Sequence, residues 1–341
     1  MDIKKLYEEF PLLWQIRKSI RFYRGQIPRL KRLKKEMILK FYNIDTHNKS
    51  VPISSKKCIM MIDGRFPHGG LTDRLRGCLS VYSYCKQHKI PFYIHFIYPF
   101  NLKDCLVPNV YDWAIASTDI DYEYPQSTPV VLDCFDAILE GLFDKLLLNR
   151  FVLRGISSNY HIYSNAHFHK KSYSELFHEL FKPANELQLL IDENIKNLGS
   201  RYYAATFRFQ QLLGDFKEGN IEFYHILNDT DKNKLIEKCK EKLMELLEAL
   251  PQNYRLLVTS DSSTFLEEVS KISRIYVIPG KVVHMNYEQS DVKVFLKSFI
   301  DLYLLMGAEA VNLFQTGKMY NSGFPKFAAK LGNTTFNHIR F

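Results

Sequence analysis

With 341 residues, 46% of them hydrophobic and 14% aromatic, the chain is long enough for about two domains with buried cores. No stretch reaches the ~18 consecutive apolar residues of a membrane-spanning helix, and Met1-Asp2-Ile3-Lys4-Lys5-Leu6-Tyr7-Glu8-Glu9 lacks the apolar core and cleavage site of a secretory signal, so the expected location is the cytosol. The formal net charge is +9, and residues 1–50 hold 13 Lys/Arg against 5 Asp/Glu, so nearly all of the excess is local.

Residues 1–50 read as a basic helical appendage of two pieces broken near Gly25 and Pro28, followed by the polar link Asp45 to Ser50. Its basic run, residues 17–35, suits the anionic inner face of a membrane; a solvated helix face is the alternative. Nucleic acid is disfavoured as a partner, because stacking motifs and recognition signatures are missing. The globular part, residues 51–198, opens with the apolar strand Lys57 to Ile62, a glycine loop around Gly69 and Gly70, and a helix from Leu71 to His88. The aromatic and β-branched run Pro91 to Phe96 completes a βαβ unit and starts a parallel sheet. Short apolar runs such as Pro129-Val130-Val131-Leu132 follow, then a helix from Ser172 to Leu198 interrupted by Pro183. The break at Asn197 to Ser200 marks the domain boundary, and residues 199–341 form the second α/β domain.

In that domain Tyr202 to Phe209 reads as a strand, Asp231 to Leu250 as a long amphipathic helix, Tyr254 to Ser262 as a strand and Ser263 to Lys271 as a helix. Arg274 to Ile278 and Ala310 to Phe314 are further strands, and Val292 to Leu305 and Gly323 to Leu331 further helices. The six cysteines sit mostly in apolar segments without zinc-like spacing, as buried free thiols do. The fold class is therefore α/β, with two Rossmann-like domains facing across a cleft where a ligand would bind beyond the strand ends.

Four polar clusters fall at strand ends. The glycine loop with Arg74 and Arg76 presents a helix N-terminus, which favours an anion; an ordinary βα turn is the alternative. Arg208 stands in an otherwise apolar strand and either pairs with a structural carboxylate or meets a ligand phosphate. Ser260 and Asp261, in Thr259-Ser260-Asp261-Ser262, either bind a ribose or base or serve the next helix, with capping assigned to Ser262 or Ser263. Ser322, Gly323 and Phe324 hold a phosphate or cap the last helix.

The order of these features, glycine loop, strand-end arginine, Thr-Ser-Asp-Ser, then Ser322-Gly323-Phe324-Pro325-Lys326-Phe327-Ala328-Ala329, resembles the GT-B fucosyltransferase superfamily, which includes the α1,6-, plant xyloglucan and protein O-fucosyltransferases. Gly69 to Gly77 is also similar to members found in bacterial surface-polysaccharide gene clusters. The resemblance implies that Arg208 binds the donor β-phosphate, that Ser260 and Asp261 face guanine or ribose, that Ser322, Gly323 and Phe324 hold the diphosphate, and that Gly69 and Gly70 close over it, with Arg74 and Arg76 as secondary contacts. The family often carries a histidine before and a second arginine after its motif arginine. Phe207 and Phe209 stand there instead.

The implied activity is metal-independent transfer of a sugar from a nucleotide diphosphate, GDP-fucose favoured, to a hydroxyl of a polysaccharide or lipid-linked oligosaccharide at the inner membrane face. Arg208 would take the electrostatic role of a metal, and Asp215 and Glu218, with Asp73 as the alternative, are the candidate bases. A different nucleotide sugar, or a noncatalytic protein that binds nucleotides or glycans, are the competing readings.

Overall fold

The computed structural model describes residues 11–44, 56–132, 142–165, 173–216, 226–280 and 293–341. In chain order the elements are helix α1 (Pro11–Phe41), strands β1 (Asn43–Ile44) and β2 (Lys57–Ile62), helix α2 (Leu71–His88), strands β3 (Phe92–Phe96), β4 (Leu106–Pro108), β5 (Glu123–Tyr124) and β6 (Ser127–Leu132), helix α3 (Leu142–Leu148) and strand β7 (Asn159–Ser164). Helix α4 (Tyr173–Leu180), strand β8 (Phe181–Pro183), helix α5 (Asn185–Leu198), strand β9 (Tyr202–Phe207), helix α6 (Asp229–Ala249), strand β10 (Arg255–Ser260) and helix α7 (Ser263–Val269) follow. The chain ends with strand β11 (Ile275–Val277), helix α8 (Lys293–Met306), strand β12 (Ala310–Gln315), helix α9 (Gly323–Gly332) and strand β13 (Thr335–Arg340). Two compact units result: Met1–Tyr98 with Val110–Lys171, and Pro99–Asn109 with Ser172–Phe341.

The first unit carries a parallel sheet in the order β3-β2-β7-β6. A parallel strand covered on both faces reads as an unbroken apolar run, and Cys58 to Ile62 are all fully buried. Helix α2 has the bounds expected from the sequence. It lies so close to β7 that a Cβ on Gly77 would meet the Ser164 carbonyl and stand 2.9 Å from Met60 Cε. The carbonyl belongs to a buried strand and cannot retreat, so Gly77→Ala is expected to cost about 1–3 kcal/mol of stability, measured as a lower denaturation midpoint; an unchanged midpoint would contradict this packing.

The expected break near Gly25 and Pro28 is absent: α1 is one helix of 31 residues with Pro28 inside it. Proline removes one helical hydrogen bond, but Ile27, Leu30 and Met37 keep a common apolar face across it, and α1 packs on β6. Leu30, Met37 and Tyr42 are buried, and the Tyr42 hydroxyl lies 2.7 Å from His161 Nδ1. The carboxyl-terminal half of this segment is thus part of the first unit's core rather than an appendage. The polar link after it lies outside the described residues.

The second unit holds a five-stranded parallel sheet in the order β11-β10-β9-β12-β13. Here too the domain boundary differs from the one read at residues 198/199. Pro183 splits the expected helix into α4, the short strand β8 and α5, and β8 pairs antiparallel with β4. Leu187, Ile191 and Leu198 of α5 are buried, α5 packs on α8, and Tyr276 in β11 donates to Asn194 at 2.7 Å. Phe100 stacks on Phe295 at 4.8 Å, which ties residues 99–109 to the same unit. Strand β13 had no apolar signature because it is an edge strand, with Thr335 and Asn337 exposed. Cys58, Cys78, Cys85, Cys105 and Cys239 are buried free thiols, and Cys134 lies outside the described residues.

Candidate functional site

In the second sheet the chain runs outward from β9 to β10 and β11, then returns to the other side as β12 and β13. The gap between β9 and β12 is therefore the point where strand order reverses, and ligands of open α/β sheets collect beyond the carboxyl ends at such a point. Because all five strands are parallel, Arg208 after β9, Asp261 after β10 and the turn before α9 fall on one edge.

Alternation along an extended chain sends successive side chains to opposite sides. Phe207 and Phe209 are fully buried and pack on Phe265 at 4.7 and 5.0 Å, so they anchor the strand end in the core. Arg208 between them points the other way, with its side chain 18% exposed and its guanidinium 4.6 Å above the Phe216 ring. Its Nε lies 3.3 Å from Asp261 Oδ2.

Asp261 does not face outward as the resemblance implied. Its side chain is 1% exposed, Oδ1 accepts the Phe209 N–H at 2.8 Å and Oδ2 the Gln210 N–H at 2.7 Å. Gln210 adopts φ +54°, a left-handed conformation that a non-glycine residue keeps only where neighbours hold it. Asp261 is thus a bracket that shapes the turn and orients Arg208. Burial pushes its carboxyl up to about 6, against the opposing pull of Arg208 and the backbone N–H groups.

Ser260 is buried as well, and its hydroxyl accepts the Ser262 N–H at 3.1 Å. Ser262 caps α7 by accepting the Phe265 N–H at 3.1 Å. Asp215, a candidate base, is the second cap of that helix: its Oδ2 accepts from Ser262 Oγ at 2.8 Å, Thr264 N at 2.8 Å and Ser263 Oγ at 3.3 Å. The Asp215 oxygen that would take a proton is thus already occupied by the donors of this helix N-terminus. Glu218 lies outside the described residues.

The turn before α9 is tied to this site, since the Tyr320 N–H donates to the Arg208 carbonyl at 3.0 Å. The Ser322 hydroxyl accepts the Phe324 N–H at 3.3 Å, so the capping role is realised. Of the orphan donors of the first turn, Pro325 supplies none and Phe324 is used by the cap. Gly323 is exposed, and a Cβ there would meet nothing within 4 Å.

In the first unit the glycine loop serves its own structure. Arg74 is buried, donates from Nε to the Gly69 carbonyl at 2.9 Å and from Nη1 to the Tyr98 carbonyl at 2.7 Å, and burial lowers its pKa to about 10. Arg76 pairs with Asp73, the alternative base. A Cβ on Gly69 would collide with the Asp73 carboxylate, and the Gly70 carbonyl accepts the N–H groups of Asp73 and Arg74 at 3.1 and 3.2 Å. Arg74 and Arg76 are therefore engaged by the Gly69 and Tyr98 carbonyls and by Asp73 rather than left pointing outward as donor contacts.

The charges that do gather at the strand-order reversal of this sheet, between β2 and β7, were not selected from the sequence. Asp63 Oδ2 accepts from the Tyr163 hydroxyl at 3.3 Å and lies 3.5 Å from Arg65 Nε. The Arg65 guanidinium sits 4.1 Å over Tyr122, and His68 Nδ1 is 3.0 Å from Asn165 Oδ1. Burial lowers the His68 pKa to about 4, so its ring is neutral. The available signal was an acid and a base flanking Gly64 directly after an apolar strand.

Two α/β units, each built on a parallel sheet with a strand-order reversal, define a GT-B-like fold. Within that class it is similar in fold to solved fucosyltransferase structures. It matches the crystal structure of NodZ α-1,6-fucosyltransferase soaked with GDP-fucose at TM-score 0.52 and 13% identity, over 81% of this chain and 93% of that one. It matches fucosyltransferase NodZ from Bradyrhizobium at TM-score 0.53 and 12% identity, over 81% and 92%. NodZ co-crystallized with GDP gives TM-score 0.52 and 13% identity over the same 81% and 92%. No family model and no curated protein sequence matches the chain.

Proposed function

We propose that the chain transfers a sugar from a nucleotide diphosphate, GDP-fucose favoured, to a hydroxyl of a polysaccharide or lipid-linked oligosaccharide. The observation that carries the reading is the joining of Arg208 and the α9 N-terminus at the strand-order reversal of the second sheet, through the Tyr320 N–H to Arg208 carbonyl bond. A diphosphate leaving group gains charge as the glycosidic bond breaks, and a preorganised cation with oriented N–H groups stabilises that charge. The likeness in fold to NodZ, co-crystallized with GDP and soaked with GDP-fucose, supports the same donor class.

Arg208 would grip two phosphate oxygens through its planar fork. Ser322 and Gly323 would donate their N–H groups, and Asp261 would hold Arg208 in place. With Asp215 capping α7 and Asp73 paired to Arg76, Glu218 is the remaining base of those read from the sequence. The basic residues 17–35 would bring the enzyme to an acceptor at the inner membrane face. The test is transfer from GDP-fucose to a glycan extract, measured with and without EDTA. Turnover is expected and should survive chelation, because Arg208 supplies the cation. Activity lost in EDTA and restored by Mg²⁺ would overturn the metal-independent reading, and turnover with UDP-sugars alone would move the donor.

A further inference from the structure

Helix α1 carries ten lysines and arginines against the single acid Glu36. Arg17, Lys18, Arg21 and Arg24 in its first half are exposed. Four large apolar side chains of the same half are exposed too: Leu13 at 46%, Trp14 at 51%, Ile20 at 46% and Phe22 at 45%. Farther along the same helix, a cavity of about 80 Å³ opens between α1, β6 and the end of α3. Ile27, Leu30, Val130, Leu147 and Phe151 line it, and Lys31, Lys34 and Arg150 bring three cations to it. Lys34 is half-buried, with its ammonium 5.4 Å from the Phe151 ring centroid, and burial lowers its pKa, so an adjacent anion would favour its charged form.

We infer that α1 and the cavity beneath it form a binding site for anionic phospholipid, with Leu13, Trp14 and Ile20 in the bilayer interface, an acyl segment at the cavity and the lipid phosphate at Lys31, Lys34 and Arg150. The inference deepens the membrane-side location in the proposed function and is independent of the sugar-transfer reading. Three physical points select a lipid surface. A helix rich in Lys and Arg with Trp, Phe and Leu exposed among them has the composition of an interfacial membrane helix. Binding nucleic acid draws on the cations and can stack bases on aromatic rings, but it does not bury the exposed aliphatic side chains Leu13 and Ile20 as a bilayer interface does. A second copy docked through the same face would set one strongly basic helix against another, and like charges brought together in an interface oppose association.

The chain reports on this contact by itself. Of its two tryptophans, Trp113 is fully buried and Trp14 is half-exposed, so a change in emission on adding vesicles reads Trp14. The full chain is mixed with phosphatidylcholine vesicles, with or without phosphatidylglycerol, and followed by tryptophan emission and co-sedimentation. A blue shift and sedimentation are expected only with the anionic vesicles. The triple variant Lys31→Gln, Lys34→Gln, Arg150→Gln alters side chains at the cavity rim and should fold. It should bind about a hundredfold more weakly, at roughly fivefold per charge near the surface. Wild-type vesicle binding by this variant would overturn the phosphate assignment. Failure of the wild type to bind anionic vesicles, retention on RNA but not on vesicles, or a dimer that buries Trp14 would each overturn the whole inference. GDP binding measured on the same preparation separates that outcome from failure of the transferase reading.

Discussion

Arg208→Ala is expected to weaken binding of a nucleoside diphosphate at least tenfold and to abolish sugar transfer. Hydrogen bonds to a charged partner are worth about 1.5–3 kcal/mol each, and 1.4 kcal/mol is a factor of ten in affinity. The variant leaves the buried Asp261 without its counter-ion and should lose stability on that account, but it should still fold, because Phe207 and Phe209 anchor the strand end and Asp261 keeps the two backbone N–H groups it accepts. Arg208→Lys preserves the charge but loses the planar fork, and its affinity should fall between the two. Calorimetric titration with GDP reads all three proteins. Wild-type affinity in the alanine variant would remove Arg208 from the site.

Asp261→Ala should damage the protein in a different way, by lowering the stability of the fold about 3–5 kcal/mol, the range for removing one partner of a buried pair. The N–H groups of Phe209 and Gln210 would lose their acceptors, Arg208 its counter-ion, and the left-handed Gln210 its restraint. Chemical denaturation measures the loss. The same residue sets a pH dependence of definite sign. Its carboxyl is raised from 3.8 to about 6, so between these values the native state holds a proton that the unfolded chain has released. The proton-linked part of its contribution to stability is therefore fully present below about pH 4 and is lost as the pH climbs through 6, while its hydrogen bonds and its pairing with Arg208 remain. The alanine variant should lack that slope. Equal slopes in the two proteins would assign the titration to another group.

The parallel strands and the bounds of α2 could be read directly, because a strand buried on both faces must be apolar throughout and Leu71 follows glycines that end the preceding loop. Arg208 was legible for a related reason: a lone cation between two phenylalanines has to leave the core. What stayed hidden depends on where a polar side chain points at a strand end. Asp261, Asp215 and Arg74 look like ligand contacts in one dimension, yet each is used to satisfy backbone N–H or carbonyl groups nearby in space. Asp63 and Arg65 fall at the corresponding edge of the first sheet only once β7 is known to lie beside β2. Helix α1 runs through Pro28 because a face packed on β6 outweighs a local signal, and β13 is polar because it lies at an edge.

The central claim, a diphosphate site built from Arg208 and the α9 N-terminus, is tested most directly by thermal unfolding of the wild type and of Arg208→Ala in GDP, UDP, ADP and CDP. A ligand that binds only the folded chain adds about 2.7 kcal/mol at a hundred times its dissociation constant. A higher melting temperature with GDP in preference to the other nucleotides, lost in Arg208→Ala, is the predicted result. No shift with any nucleoside diphosphate, or an equal GDP shift in both proteins, would contradict it.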